Sequence, residues 1–220
     1  MKETSELTYE RRPAESQCPG GKVALIYTSF APFVARDHDL LSKHLDVENV
    51  SFAGMRDAPR ILSAVKRSDV AISWFAGGHA ALAVAFSRLL DRGSIVIVGG
   101  YDVARVPEID YGQFSMGWRQ RAQARMALAW ADKVLVVDPS LKEDAIKNAG
   151  VDGRNIEYLP TGYDPARFRP GGKKEDLAII VGTDMSETVI KRKGLATFVK
   201  AASYLPEVQF AVIGRPKDGS

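Results

Sequence analysis

Six short apolar runs alternate with helical patterns between residues 22 and 159, and this alternation most constrains the fold. The runs are 22–28 (KVALIYT), 47–52, 69–75 (DVAISWF), 94–98 (SIVIV), 133–137 and 156–159. Helical patterns fall at 34–44, from Pro59 through Val65, and at 79–90, 116–131 and 141–149. Pro59 suits an early helical position, with Ile61, Leu62 and Val65 as the apolar face behind it. The strands are continuously apolar, which predicts a sheet covered on both faces. The expectation is a doubly wound α/β domain with a parallel sheet. Ligands of such sheets bind at the carboxyl ends of the strands, near a topological switch. Those ends are 29–33, 75–79, 99–102, 138–140 and 161–164. The 101–114 stretch reads as a long loop.

A second unit follows. Gly171-Gly172 and a charged break precede a strand pattern at 177–181 that ends in Gly182. A helix pattern at 194–204 and a strand pattern at 208–213 complete a β-α-β unit, whose strands should be parallel. Lys191, Arg192 and Lys193 are expected in the loop just ahead of that helix. Free amides at a helix start together with adjacent cations form an anion site. The expected division is a mobile N-terminal segment (1–21), a first Rossmann-like domain with its connector (22–170), and the start of a second domain (171–220).

Composition narrows the classes. The 220 residues suit one large or two small domains, and 45% apolar with 26% charged residues is ordinary for a globular chain. A net charge of +3 without basic clusters interleaved with aromatics argues against nucleic acid. The lone Cys18 excludes an intrachain disulfide and fits a reducing, cytoplasmic compartment. No run approaches membrane-spanning length, and residues 1–21 lack the apolar core of a secretory signal. One cysteine and scattered histidines give no zinc spacing, so neither metal nor cofactor is expected. G-x-x-x-x-G-K-[ST] is absent, and no Gly-x-Gly-x-x-Gly follows the first strand, which weakens a dehydrogenase reading.

LPTGYDPARFRP, at 159–170, resembles the P-N-G-x-D-x-x-x-F-x-P connector of retaining GT-B fold glycosyltransferases of the family 4 (group 1) type. VGTDMSETVIKRKGLATFVKAASYLPEVQFAVIG resembles the opening of that family's donor-binding domain, and ADKVLVVDPSLKEDAIKNAGVDGRNIEYLP the segment before its connector. The resemblance covers roughly 69–214. Three departures stand out: Thr161 where the family has Asn, Thr183 after Gly182 where many members carry arginine, and SFAPFVARD in place of a glycine pair after the first strand. The resemblance implies a complete first domain and only the opening β-α-β of the second, a fragment inactive by itself. It implies transfer of a hexose from a nucleotide-diphosphate sugar to a glycan or lipid-linked acceptor, as in polysaccharide biosynthesis, with peripheral membrane contact as a further expectation. A GT-B-fold sugar-nucleotide epimerase and a non-catalytic sugar-binding α/β module are the alternatives.

Candidate residues follow from both readings. Lys193, with Arg192, Thr183 and Gly182, is assigned to the donor diphosphate. Asp102 and His79, at strand ends beside glycine pairs, are assigned to the reaction centre; their plain alternatives are a turn-forming aspartate and a neutral helix-start histidine. Tyr101, Glu108 and Asp110 in the long loop are assigned to the acceptor. The amides of 33–37 offer a further diphosphate contact. Trp118, Ala122, Met126 and Trp130 are spaced as a core stripe, leaving Arg119, Arg121 and Arg125 on a solvated face or against an anionic surface.

Overall fold

The computed structural model describes residues 20–184 and 186–215, and the side chains of Thr183, Asp184 and Arg215 lie outside that description. Cys18 and most of the 1–21 segment lie outside the described residues, as do 216–220.

The first unit is a six-stranded parallel sheet in the order β2-β1-β3-β4-β5-β6. Its strands are β1 (Lys22–Tyr27), β2 (Asp46–Ser51), β3 (Val70–Trp74), β4 (Gly93–Val98), β5 (Lys133–Val136) and β6 (Ile156–Tyr158). The intervening helices are α1 (Pro32–Leu41), α2 (Ala58–Arg67), α3 (Gly78–Leu89), α4 (Trp118–Trp130) and α5 (Ser140–Asp144), which runs on as a π-helical turn, Ala145–Ala149. This is the α/β, Rossmann-like architecture expected from the alternation. From β1 the chain steps outward to β2 and then returns to β3 on the other side, so the switch lies between the ends of β1 and β3.

The two sheet faces are covered unequally, contrary to expectation. Ala24, Ile26 and Val50 pack with Ile61 and Val65 of α2 and Ala83 of α3. Val96, Val98, Val134 and Val136 continue that face beneath α3, α4 and the π-helical turn. The opposite face holds Val23, Leu25, Ile72 and Trp74 against Val34 of α1, with Ile95 and Ile97 only partly buried. Apolar content predicts coverage, but one helix of ten residues cannot shield a twisted sheet of this width. The expected core stripe of α4 is also corrected. Ala124, Ala127 and Leu128 are buried, whereas Trp118 and Trp130 are 68% and 46% exposed. Small alanines let α4 approach the sheet closely, and the bulky indoles are left outside.

A separate two-stranded parallel sheet joins β7 (Leu177–Asp184) to β8 (Gln209–Arg215). Strand β7 does not end at Gly182; it continues to Asp184 through an irregularity after Val181. Two helices replace the single one expected: α6 (Glu187–Lys193) and α7 (Leu195–Ala202). Gly194 breaks them with φ 69°, a left-handed conformation that ends α6 and starts α7. Lys191, Arg192 and Lys193 therefore form the last turn of a helix, where cations complement its dipole.

Candidate functional site

The carboxyl ends of β1, β3 and β4 form one edge, and short-range chemistry holds their loops together. Asp102, after β4, is 1% exposed. Its Oδ2 accepts from the Ala76 amide at 2.9 Å, and its Oδ1 accepts from the amides of Gly100 at 3.0 Å and Gly99 at 3.2 Å. The carboxyl thus pins the end of β3 to that of β4. Burial pushes it up to about 6, against the pull of those amides.

His79, at the start of α3, is 3% exposed. Its Nε2 lies 2.7 Å from the Trp74 carbonyl, and a carbonyl only accepts, so Nε2 carries the proton. Burial holds this histidine below its ordinary range, which makes it neutral near pH 7. Its ring packs 5.9 Å from that of Phe52. The structure therefore places both sequence-predicted reaction-centre residues inside the wall of the crevice, bonded to backbone.

Aromatic side chains line the switch itself. Phe33 packs on Trp74 at 4.5 Å and on Phe75 at 5.7 Å. Trp74 Nε1 donates to Asp37 Oδ2 at 2.9 Å. Burial raises the Asp37 carboxyl, while the indole bond and the Arg36 charge oppose the rise. Phe75 adopts φ 69°, uncommon for a bulky residue, and its ring sits against Gly99. The 33–37 stretch lies in the first turns of α1 at the crevice, and the side chains of Phe33 and Asp37 pack there.

The 101–115 loop is ordered by its own hydrogen bonds, with 3₁₀ turns at Pro107–Ile109 and Gln113–Ser115. Val106 and Tyr111 pair through both amides, at 2.9 and 3.1 Å. Ser115 Oγ donates to the Tyr111 carbonyl and accepts from the Val106 amide. Tyr101 and Tyr111 meet edge to face at 5.3 Å, and burial together with Tyr111 raises the Tyr101 hydroxyl. Glu108 and Asp110 are exposed at the loop tip.

The basic end of α6 reaches this loop. The Arg192 guanidinium carbon lies 4.8 Å from the centre of the Tyr111 ring, and Nη1 donates to its hydroxyl at 3.4 Å. Lys191 pairs with Glu187 at 2.6 Å one turn back, and Lys193 is exposed beside Gly194. Gly182 is buried within β7, and Thr183 is described by its backbone alone. The structure thus brings Arg192 to the Tyr101–Tyr111 pair, while Asp102 and His79 remain apart in the core.

Three participants were missed by sequence reasoning. Tyr111 directly follows the expected candidate Asp110 but carries no motif. Arg36 grips the connector, donating to the Gly162 carbonyl at 3.2 Å and lying 5.8 Å over the Phe168 ring. The connector signature names Gly162 and Phe168 but not their partner, which lies 126 residues before Gly162. Phe75 is unremarkable in sequence because its strain is visible only in the backbone. Among the described residues, no three His, Cys, Asp or Glu side chains gather as metal ligands, and no helix is long and apolar enough to cross a membrane.

No protein-family model matches this chain, and no curated protein matches it. Among solved structures, it is similar to a Listeria monocytogenes protein named as a UDP-N-acetylglucosamine 2-epimerase. The two share 11% identity over 91% of this chain and 70% of that one, with a TM-score of 0.47. It is also similar to drICE, with 14% identity over 64% of this chain and 94% of that one and a TM-score of 0.27. At such values the functional reading rests on the chain's own residues.

Proposed function

We propose that this chain belongs to a nucleotide-sugar protein of GT-B type, a retaining glycosyltransferase, with one Rossmann-like domain at 22–170 and the opening of a second at 171–220. The observation that carries the reading is the contact of Arg192 with Tyr111. It sets the Lys193–Gly194 break, where α7 begins, beside the loop that follows β4. In this reading the donor diphosphate lies on Lys193, Arg192 and the first amides of α7, with the Gly182–Thr183 backbone behind it. The acceptor, a glycan or lipid-linked sugar, lies on the first unit near Tyr101, Glu108 and Asp110. Catalysis comes chiefly from stabilising the departing diphosphate. Asp102 and His79 act as positioning residues that hold the crevice wall. A cytoplasmic site of action with peripheral membrane contact completes the reading.

The burial of Asp102 and His79 favours one second reading, a non-catalytic module that binds a sugar nucleotide. The same burial weighs against an epimerase, which needs acid–base groups facing the sugar. The test is release of nucleoside diphosphate from a panel of UDP- and GDP-sugars offered with glycan acceptors. Binding of a sugar nucleotide supports both readings, since this chain alone is expected to be inactive, and release with retained anomeric configuration supports transfer over the module. Failure of every sugar nucleotide to bind removes both.

A further inference from the structure

A cavity of about 330 Å³ lies between the 101–115 loop, α4 and the π-helical turn. It is lined by Arg105, Arg121, Arg125, Trp118, Phe114 and Asn148, among others, and by no carboxylate. Neither Arg192 nor Lys193 lines it. The sequence pattern left the α4 arginines on a solvated face, the ordinary fate of such a row. Two features set this row apart. Trp118, Arg121 and Arg125 recur at helical spacing on one side of α4, and Arg105 meets them from the loop opposite. Among the described residues, the guanidiniums of Arg105 and Arg121 have no hydrogen-bond or ion-pair partner. Arg125 donates through Nε to the Ala149 carbonyl at 2.6 Å, which orients the guanidinium and leaves the donors on its two Nη atoms unused. Three guanidiniums around one cavity repel each other unless an anion joins them.

We propose that this cavity binds a phosphate monoester, with the phosphate held by Arg105, Arg121 and Arg125 and a planar ring laid against Trp118. A carboxylate offers two oxygens and one charge, enough for one guanidinium fork. A phosphate monoester offers three acceptor oxygens and a charge of about −1.5 to −2, which suits three. The indole of Trp118 is 68% exposed at the mouth, while Phe114 is 3% exposed within. Arg119 lies 5.4 Å over the indole and adds a further positive charge at the rim. The volume sits at the small end of ligand pockets, appropriate to a single ring with one phosphate. The site is independent of the diphosphate site proposed at Lys193.

Calorimetric titration with phenyl phosphate, inorganic phosphate and phenol tests the assignment. Phenyl phosphate should bind saturably, inorganic phosphate more weakly, and phenol not at all. Arg121→Gln should weaken phenyl phosphate about tenfold or more, the loss of a charged hydrogen bond. Trp118→Leu should reduce phenyl phosphate to the level of inorganic phosphate. Raising salt should weaken binding in the native protein. Lys193→Ala should leave these affinities unchanged. No heat at millimolar phenyl phosphate, equal affinity in the well-folded Arg121→Gln protein, or phenol binding as well as its phosphate would each overturn the proposal. Loss of binding in Lys193→Ala but not in Arg121→Gln would also overturn it, while leaving the nucleotide-sugar reading intact.

Discussion

Arg192 lies over the ring of Tyr111, 4.8 Å from guanidinium carbon to ring centre, and joins residues 81 positions apart. The contact ties the small sheet to the loop after β4 without any shared strand. An exposed cation–π contact of this kind is worth about 0.5–1 kcal/mol. In a double-mutant cycle, Arg192→Ala and Tyr111→Leu should show a coupling of that size in chemical denaturation. Strict additivity would mean that the two units do not engage through this pair.

The ring of Phe75 lies directly against Gly99 at the crevice. A Cβ on Gly99 would stand 2.4 Å from Phe75 Cε1. The Phe75 ring is flanked by Phe33 at 5.7 Å and Trp74 at 5.6 Å, so it has little freedom to withdraw. Gly99→Ala should cost about 1–3 kcal/mol, the usual range for overpacking. The same substitution in a Phe75→Ala background should cost far less. Equal costs in both backgrounds, read from urea midpoints, would contradict the steric account.

Asp102 and His79 give opposite pH signatures. Asp102 titrates near 6 when folded against roughly 3.9 in an unfolded chain. Between those values the folded state keeps a proton that the unfolded state has lost. Its contribution to stability therefore falls as pH rises through this window, by roughly 3 kcal/mol. His79 is lowered on folding, so its contribution is present above the unfolded value and is lost as pH falls below about 6.5. The stability difference between the native protein and Asp102→Asn should thus decline from pH 4 to 6.5. A flat difference would show that Asp102 does not titrate in the folded core.

Gly194 sets the break between α6 and α7. A Cβ there meets nothing within 4 Å, so the cost of substitution is conformational alone. Gly194→Ala should destabilise by roughly 1 kcal/mol, and Gly194→Asn by less, because asparagine tolerates the left-handed region. An unchanged melting temperature in the alanine variant would mean that the helices can fuse.

The order of strands and helices in the first unit was legible because apolar periodicity and glycine turns report local structure. The unequal covering of the sheet was not, since Ile95 and Ile97 look the same whether one helix or three lie above them. Trp118 and Trp130 were misplaced because helical spacing shows which residues share a face, not which face meets the sheet. The α6–α7 break was missed for a related reason. Gly194 after three basic residues reads equally as a helix start or as a helix end followed by another start. Of the candidate site, Arg192 was singled out through its motif, but its contact with Tyr111 was not. Tyr111 and Arg36 were not, because their partners are distant in sequence. Asp102 and His79 were identified as unusual, but only burial and backbone partners distinguish a pin in the wall from a group facing a ligand.

The affinity of nucleotide-diphosphate sugars for this protein and for Lys193→Ala tests the central claim most directly. The lysine is exposed beside the start of α7, so its removal should leave the melting temperature unchanged, with stability altered by no more than about 0.5 kcal/mol. At least one UDP- or GDP-sugar should bind the native chain, and Lys193→Ala should weaken it about tenfold or more, as expected for a charged hydrogen bond to a diphosphate. Where transfer is measurable, the rate should fall by roughly a hundredfold, because the diphosphate gains charge as the glycosidic bond breaks. Lys193→Arg should restore only part of the loss. Equal affinity in the native and alanine proteins, both well folded, would contradict the assignment of this helix break to the donor diphosphate.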